Sequence, residues 1–216
     1  MYFNLLDQRI QQYTEVHSEE EPKVLKSLTD FALEQHLLPQ MLSGHLQGLF
    51  LKHISWMMRP SLVLEIGTYA GYSTICLADG LADGGKIITI DKNPKMLPTI
   101  NKYLAEAGIS EKVEVVQANA HQWLADNALI NIDLVFIDAD KAGSMQYYER
   151  ILPMVREGGF ILVDNVLWNG KVCNPVKPND QETIALDVFN KTVTKDSRVE
   201  NLLLPFRDGV MMLRKK

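Results

Sequence analysis

From Leu62 onward the chain alternates short apolar runs with stretches of helical length, and this alternation constrains the fold more than any other feature. The runs are LVLEI (62–66), KIITI (86–90), KVEVV (112–116), IDLVFI (132–137) and GFILV (159–163). Between them, 71–82, 94–107, 119–128 and 144–156 read as helices. Short β-branched runs alternating with helices imply βαβ units and a parallel sheet covered on both faces. Right-handed crossovers make it a doubly wound, Rossmann-like α/β fold. The ending departs from this pattern. NLLLPF and VMMLRKK flank Arg207-Asp208-Gly209, a turn signal, so the last two strands should close as an antiparallel hairpin after a helix at about 180–194.

Residues up to about Arg59 read as helices. Leu5, Ile10 and Tyr13 recur at roughly helical spacing, followed by the polar break HSEEEP and a second helix from about Pro22 to His36, with Ser18 and Pro22 as start signals. A third, Gly44 to Met58, carries Leu46, Leu49, Phe50, His53, Ile54 and Met57 along one broad face, and Arg59-Pro60 ends it. At 216 residues the chain has the size of one large domain, with residues 1–60 a helical extension and 61–216 the α/β core.

Composition narrows the function. Lys and Arg number 22 against 27 Asp and Glu, a net charge of −5 with no basic block, which is a poor grip on nucleic-acid phosphates. Cys76 and Cys173 are too few for a disulfide scaffold, so a reducing cytoplasm is expected. The first ten residues lack a basic segment and carry Asp7, unlike a signal peptide, and no apolar run approaches the roughly 18 residues of a membrane span.

The first strand leads into Glu65-Ile66-Gly67-Thr68-Tyr69-Ala70-Gly71-Tyr72-Ser73. Glycines at a strand-to-helix turn let a ligand approach the backbone. The spacing is not G-x-G-x-x-G, and no Gly-Lys-Ser/Thr follows, so neither the dinucleotide fingerprint nor the P-loop is met. Asp91 ends the second strand, where an acid can accept both ribose hydroxyls of a nucleoside. Glu65 is awkward as a purely structural residue near a sheet centre. A glycine turn with Glu65 and Asp91 resembles the nucleoside site of class I S-adenosylmethionine-dependent methyltransferases.

Two more strands end in acids. IDLVFIDADK closes on Asp138, Asp140 and Lys141, and GFILVDNVLWNG on Asp164, Asn165 and Asn169. Both lie at the carboxyl edge where open α/β sheets place ligands. Oxygen donors from Asp138, Asp164 and Asn165 can form one face of an octahedral site for a hard cation, most simply Mg²⁺, with Ca²⁺ or Mn²⁺ also suited. The five histidines and two cysteines show no paired zinc spacing, and no G-x-S-x-G elbow points to a serine hydrolase.

Together these motifs resemble a specific family. Asp138-Ala-Asp140-Lys141, with Asp164-Asn165-x-Leu167-Trp168-Asn169-Gly170, is similar to the cation-dependent O-methyltransferases of the caffeoyl-CoA and catechol type. The resemblance runs from about Met41 to Leu204-Pro205-x-x-Asp208-Gly209. It implies Asp138, Asp164 and Asn165 as metal ligands. It implies Met41, Ser43, Glu65, Gly67, Thr68, Ser73, Asp91, Ala120, Asp138 and Asp140 as cofactor contacts, with Ala120 beside the adenine. Asn169 is implied near the substrate, and Trp168 borders the acceptor pocket or packs in the core. Ser43 stands where the family more often has Thr, and Gln47 where it usually has an acid.

The expected chemistry is methylation of one hydroxyl of a vicinal aromatic diol. The sulfonium methyl is already activated, so the difficulty lies in making and aligning the oxygen nucleophile. A divalent cation chelated by the diol favours the ionised phenol. It also favours the neutral amine of Lys141, which can then act as general base, with Asp138 beside it. In-line placement of oxygen, carbon and sulfur completes the requirement. Two other readings remain: an N-methyltransferase, disfavoured because Asp138-Ala-Asp-Lys141 stands where amino-directed enzymes carry (D/N)-P-P-(Y/F), and a non-catalytic S-adenosylmethionine-binding module, which would tolerate loss of Lys141. A small-molecule acceptor and a homodimer are the expected partners, the dimer by resemblance.

Overall fold

The computed structural model describes residues 8–35, 37–38 and 41–216. Leu5 and His36, used above to read the first two helices, lie outside them. The chain divides into two compact units, residues 12–120 and residues 121–216 with the start of the chain up to Gln11.

Three helices lead in: α1 (Gln8–Val16), α2 (Lys23–Glu34) and α3 (His45–Met58). Pro22 precedes α2 as expected, where its missing N–H costs nothing. Ser18 instead closes α1, its hydroxyl donating to the Thr14 carbonyl at 2.7 Å. The broad apolar face expected for α3 is corrected. Its buried residues are Gln47, Gly48, Leu51, Ile54 and Ser55, while Met57 is 74% exposed. Close approach decides this face. A Cβ on Gly48 would stand 2.8 Å from the Tyr72 ring and 2.9 Å from Cys76 Sγ, and Ser55 Oγ donates to the Leu77 carbonyl at 2.6 Å.

In the first unit β1 (Leu62–Ile66), β2 (Lys86–Asp91) and β3 (Val113–Gln117) pair in parallel in the order β3-β2-β1. Helices α4 (Tyr72–Ala78) and α5 (Leu97–Glu106) make the crossovers. Val63, Leu64, Ile66, Ile87 and Ile90 are buried completely or nearly so, each burial stabilising by about 1.5–3 kcal/mol. Ile66 pairs with Ile90, so the glycine turn and Asp91 leave neighbouring strands at the same level.

Helix α6 (Ala120–Asp126) leads into the second unit. There β4 (Ile132–Ile137), β5 (Val155–Asp164), β6 (Val199–Leu204) and β7 (Val210–Lys215) lie in the order β4-β5-β7-β6, with α7 (Ser144–Ile151) and α8 (Gln181–Val193) between them in sequence. β4 and β5 are parallel, while β5–β7 and β6–β7 are antiparallel, the expected closing hairpin. β5 begins four residues earlier than read from sequence. α7 stops at Ile151, a turn of 3₁₀ helix crosses Pro153, and Val155 pairs with Ile132 before a register shift. The strands are thus the mostly parallel, Rossmann-like α/β set that the alternation implied. Among the described residues no helix is long and apolar enough to cross a membrane.

Candidate active site

At the β1 end the backbone turns through left-handed values at Gly67 (φ 101°), Tyr69 (φ 49°) and Gly71 (φ 89°). The Gly67 N–H donates to the Ile90 carbonyl at 2.9 Å and the Gly71 N–H to the Thr68 carbonyl at 2.8 Å, which fixes the turn. A Cβ on Gly71 would meet only Ile100 Cγ2, at 3.9 Å, so the left-handed φ rather than crowding demands glycine there.

Glu65 is fully buried at the end of β1. Its Oε2 accepts from Thr74 Oγ1 at 2.5 Å and from Thr89 Oγ1 at 2.6 Å. Thr89 has a single hydroxyl proton, committed to Glu65, so in its 2.5 Å contact with Thr68 Oγ1 it is Thr68 that donates. The Thr68 hydroxyl is then left as an acceptor. Ser73 is buried on the first turn of α4.

Asp91 is half-buried, and its two oxygens accept from the Tyr69 and Asn93 N–H groups, each at 2.8 Å. Each oxygen keeps a further acceptor site, so the carboxylate is oriented and still able to receive two hydroxyls. Met41 is exposed and Ser43 buried ahead of α3, and Ala120 is half-buried at the start of α6. The Tyr69 hydroxyl holds the lead-in, accepting from Leu38 N at 3.0 Å and donating to Leu38 O at 3.2 Å.

In the second unit Ile137 pairs with Val163, so Asp138 and Asp164 are the next residues out from two adjacent parallel strands. Lys141 is buried, and its Nζ donates to Asp138 Oδ1 at 2.9 Å. Asp164 is buried and accepts from the Asn165 N–H at 2.8 Å. Asn165 itself is left-handed (φ 60°), as are Trp168 (φ 49°), Asn169 (φ 55°) and Gly170 (φ 72°). A non-glycine residue in that region costs about 1–2 kcal/mol, and such strain concentrates at functional sites. Trp168 is half-buried, with its indole N–H buried and without a hydrogen-bond partner among the described residues.

Asp140 is the centre of a second arrangement. Tyr147 Oη donates to its Oδ1 at 2.8 Å, His121 Nε2 lies 4.0 Å from its Oδ2, and the His121 and Tyr147 rings stack at 4.0 Å and 5°. A Cβ on Gly143 would fall 2.6 Å from Asp140 Oδ2 and 2.7 Å from His121 Nε2, so a side chain there would displace this pair. Burial, then the bond to Asp140, pushes the Tyr147 phenol well above its ordinary range, which keeps it a donor.

Sequence reasoning passed over Thr74, Thr89, His121, Tyr147 and Asp208 as site residues. Asp208 is half-buried, and its Oδ1 accepts from the Asn169 N–H at 2.5 Å. Burial raises its carboxyl pKa, while that N–H and the charge of Lys141 pull it back. In Arg207-Asp208-Gly209 it reads as a turn residue, and although it closes the Leu204-Pro205-x-x-Asp208-Gly209 stretch of the resemblance, it was given no role there.

The donor set at the β4 and β5 ends, two carboxylates and an amide, is all hard oxygen and suits Mg²⁺ rather than zinc. The Lys141 ammonium already holds a positive charge against Asp138. Among the described residues no group of three or more His, Cys, Asp or Glu could hold a metal, so the donor set here counts the Asn165 amide beside the two carboxylates.

The O-methyltransferase family profile matches residues 15–216. The chain belongs to that family. A Dictyostelium discoideum relative named "Probable caffeoyl-CoA O-methyltransferase 2" is 32% identical over 206 residues, covering 92% of this chain and 88% of its own. Caffeoyl-CoA O-methyltransferase 1 of Eucalyptus globulus is 31% identical over 208 residues, 90% of this chain and 82% of its own. The structure of the SAH-bound Podospora anserina methyltransferase PaMTH1 superposes with a TM-score of 0.87 at 28% identity, covering 96% of this chain and 94% of that one. As a family member the protein is an enzyme of the O-methyltransferase class.

Proposed function

We propose that the enzyme uses S-adenosylmethionine and a divalent cation, most simply Mg²⁺, to methylate one hydroxyl of a vicinal aromatic diol. The observation that carries this reading is the pair of strand ends, with Asp138 and Asp164 one residue beyond the paired Ile137 and Val163 and Lys141 bonded to Asp138. The SAH bound to the Podospora relative and the caffeoyl-CoA acceptor in the names of the others support cofactor and substrate class. When bound, S-adenosylmethionine supplies an electrophilic methyl group, and the cation lowers the cost of ionising a phenol.

The chain's own residues do the rest. Asp91 receives the ribose hydroxyls with the acceptor sites its two backbone bonds leave open, and Thr68 and Glu65 present further acceptors. Asp140, held by Tyr147, faces the cofactor. Asp138, Asp164 and the Asn165 amide would hold the cation, and Lys141 Nζ, as the neutral amine that a neighbouring cation favours, would take the proton from the attacking hydroxyl. Asn169 and Trp168 border the acceptor.

The test is methyl transfer from labelled S-adenosylmethionine to 3,4-dihydroxy aromatics, with EDTA, with Mg²⁺ restored, and with Asp164→Ala. Mn²⁺ binding followed by electron paramagnetic resonance gives an independent readout. Transfer that needs the cation, with transfer and Mn²⁺ binding both lost in Asp164→Ala, is the expected result. Transfer unaffected by EDTA would overturn the metal assignment and leave the cofactor residues standing.

A further inference from the structure

We infer that the Phe206–Gly209 turn is a clamp that sets the shape of the acceptor loop, with Asp208 its positioning residue. The inference rests on the reading of Asn165 and Asn169 as cation- and acceptor-side residues, and it adds a residue outside that set.

A turn joining β6 to β7 needs only bonds within itself, such as the one from Gly209 N to the Phe206 carbonyl at 2.9 Å. Here three more bonds enter the turn from the loop after β5. Val166 N donates to the Gly209 carbonyl at 3.1 Å, Leu167 N to the Asp208 carbonyl at 2.9 Å, and Asn169 N to Asp208 Oδ1 at 2.5 Å. The loop they hold is the one with left-handed backbone at 165 and 168–170, a shape that persists only where the surrounding structure holds it. Packing enforces the same fit. Gly209 is left-handed (φ 88°), and a Cβ there would lie 2.5 Å from Leu167 Cγ. On its other side Val166 is held by Asn190 of α8, whose Nδ2 donates to the Val166 carbonyl at 2.8 Å.

Of the three incoming bonds, only the one to Asp208 Oδ1 ends on a side chain, so it can be removed without altering the backbone. The duty of Asp208 is geometric: it accepts one N–H and thereby fixes where Asn165 and Asn169 present their amides.

Asp208→Ala removes the acceptor, and Asp208→Asn keeps an oxygen at the same place. The first readout is amide hydrogen exchange of the free protein. Asn169, though exposed, should exchange slowly in the wild type, and Asp208→Ala should speed exchange across 166–169 by about tenfold, the loss of one charged hydrogen bond. Amides of the β1–β2 pair should not change. The second readout is kinetic. In Asp208→Ala the KM for 3,4-dihydroxybenzoate should rise by about the same factor while the Kd for S-adenosylhomocysteine stays within about twofold, and Asp208→Asn should recover most of the loss.

Unchanged exchange at 166–169, an equal loss of S-adenosylhomocysteine affinity, or an Asn variant no better than Ala would each overturn the clamp. Should the wild type methylate no diol, the acceptor reading fails by itself, and the exchange experiment still decides the clamp. If Asp208→Ala does not fold, Asp208→Asn and the slow wild-type Asn169 amide carry the exchange test.

Discussion

In the 12–120 unit the two carboxylates of the proposed cofactor site are held by hydrogen bonds that belong to the fold: Glu65 by two threonine hydroxyls, one of them on β2, and Asp91 by two backbone N–H groups. In the 121–216 unit Asp164, Asn165, Trp168 and Asn169 lie at a strand end and on strained backbone, their loop held by a turn distant in sequence, while Lys141 bonds Asp138 at the neighbouring strand end. The first arrangement is part of the core, so disturbing it costs stability and ligand affinity together. The second stands on a loop, where shape can change while the core stays intact, since loops absorb substitution more readily than buried networks do.

The largest effect should come from Lys141 in the second unit. Lys141→Met keeps the aliphatic stem in its buried slot and removes the amine. The rate of methyl transfer should fall by about 10²–10⁴, the usual contribution of a general base, while S-adenosylhomocysteine binds as in wild type. Calorimetry and single-turnover transfer check both parts. A loss of cofactor affinity to match the rate would show that Lys141 serves the cofactor, and the separation drawn between the two units would collapse.

Next comes Glu65. The double variant Thr74→Val with Thr89→Val preserves side-chain shape but strips Oε2 of both hydroxyl donors. Unfolding by urea should show a loss of about 1–3 kcal/mol for each donor removed, and S-adenosylhomocysteine should bind more weakly in the same variant. Weaker binding with unchanged stability would mean that the threonines are adjustable ligand contacts, contrary to the contrast drawn here.

Much of this was legible in the sequence. β1 and β4 begin and end where their apolar runs do, because a strand buried on both faces cannot admit a charge without a partner. The position of Asp138 and Asp164 at neighbouring strand ends was legible for the same reason, since the ends of the apolar runs mark the ends of the strands. What was missed depends on contacts between distant residues. The buried face of α3 follows Gly48 and Ser55, small residues chosen for close approach to Tyr72, Cys76 and Leu77, which hydrophobic periodicity does not weigh. The start of β5 was hidden by Arg156 and Glu157, yet the Arg156 Nε bonds Asp133 of β4 at 2.5 Å and the strand is kept. Tyr147 belongs to no motif, and Asp208 closes the Leu204-Pro205-x-x-Asp208-Gly209 stretch without a role attached to it. Their partners, Asp140 and Asn169, lie 7 and 39 residues away.

The smallest effect sharpens the comparison within a single helix. α7 presents adjacent tyrosines with separate duties: Tyr147 donates to Asp140 at the candidate site, and Tyr148 donates to Asp196 Oδ2 at 2.8 Å. Asp196 is also gripped by Arg198, whose Nε and Nη2 reach both of its oxygens while its guanidinium extends to Glu149. Arg198 holds the Asp196 carboxyl well below the ordinary carboxylate range. A carboxyl with a depressed folded pKa contributes stability that is fully present above its unfolded value of about 4 and is lost as pH falls toward the folded value. Asp196→Asn should therefore lower Tm by a few degrees at neutral pH, and the gap to wild type should begin to close below about pH 4. Methyl transfer per folded molecule at pH 7 should not change. A Tm gap independent of pH would mean that packing rather than charge holds Asp196. A change in transfer would mean that the structural side of α7 is coupled to Tyr147, and with it to Asp140.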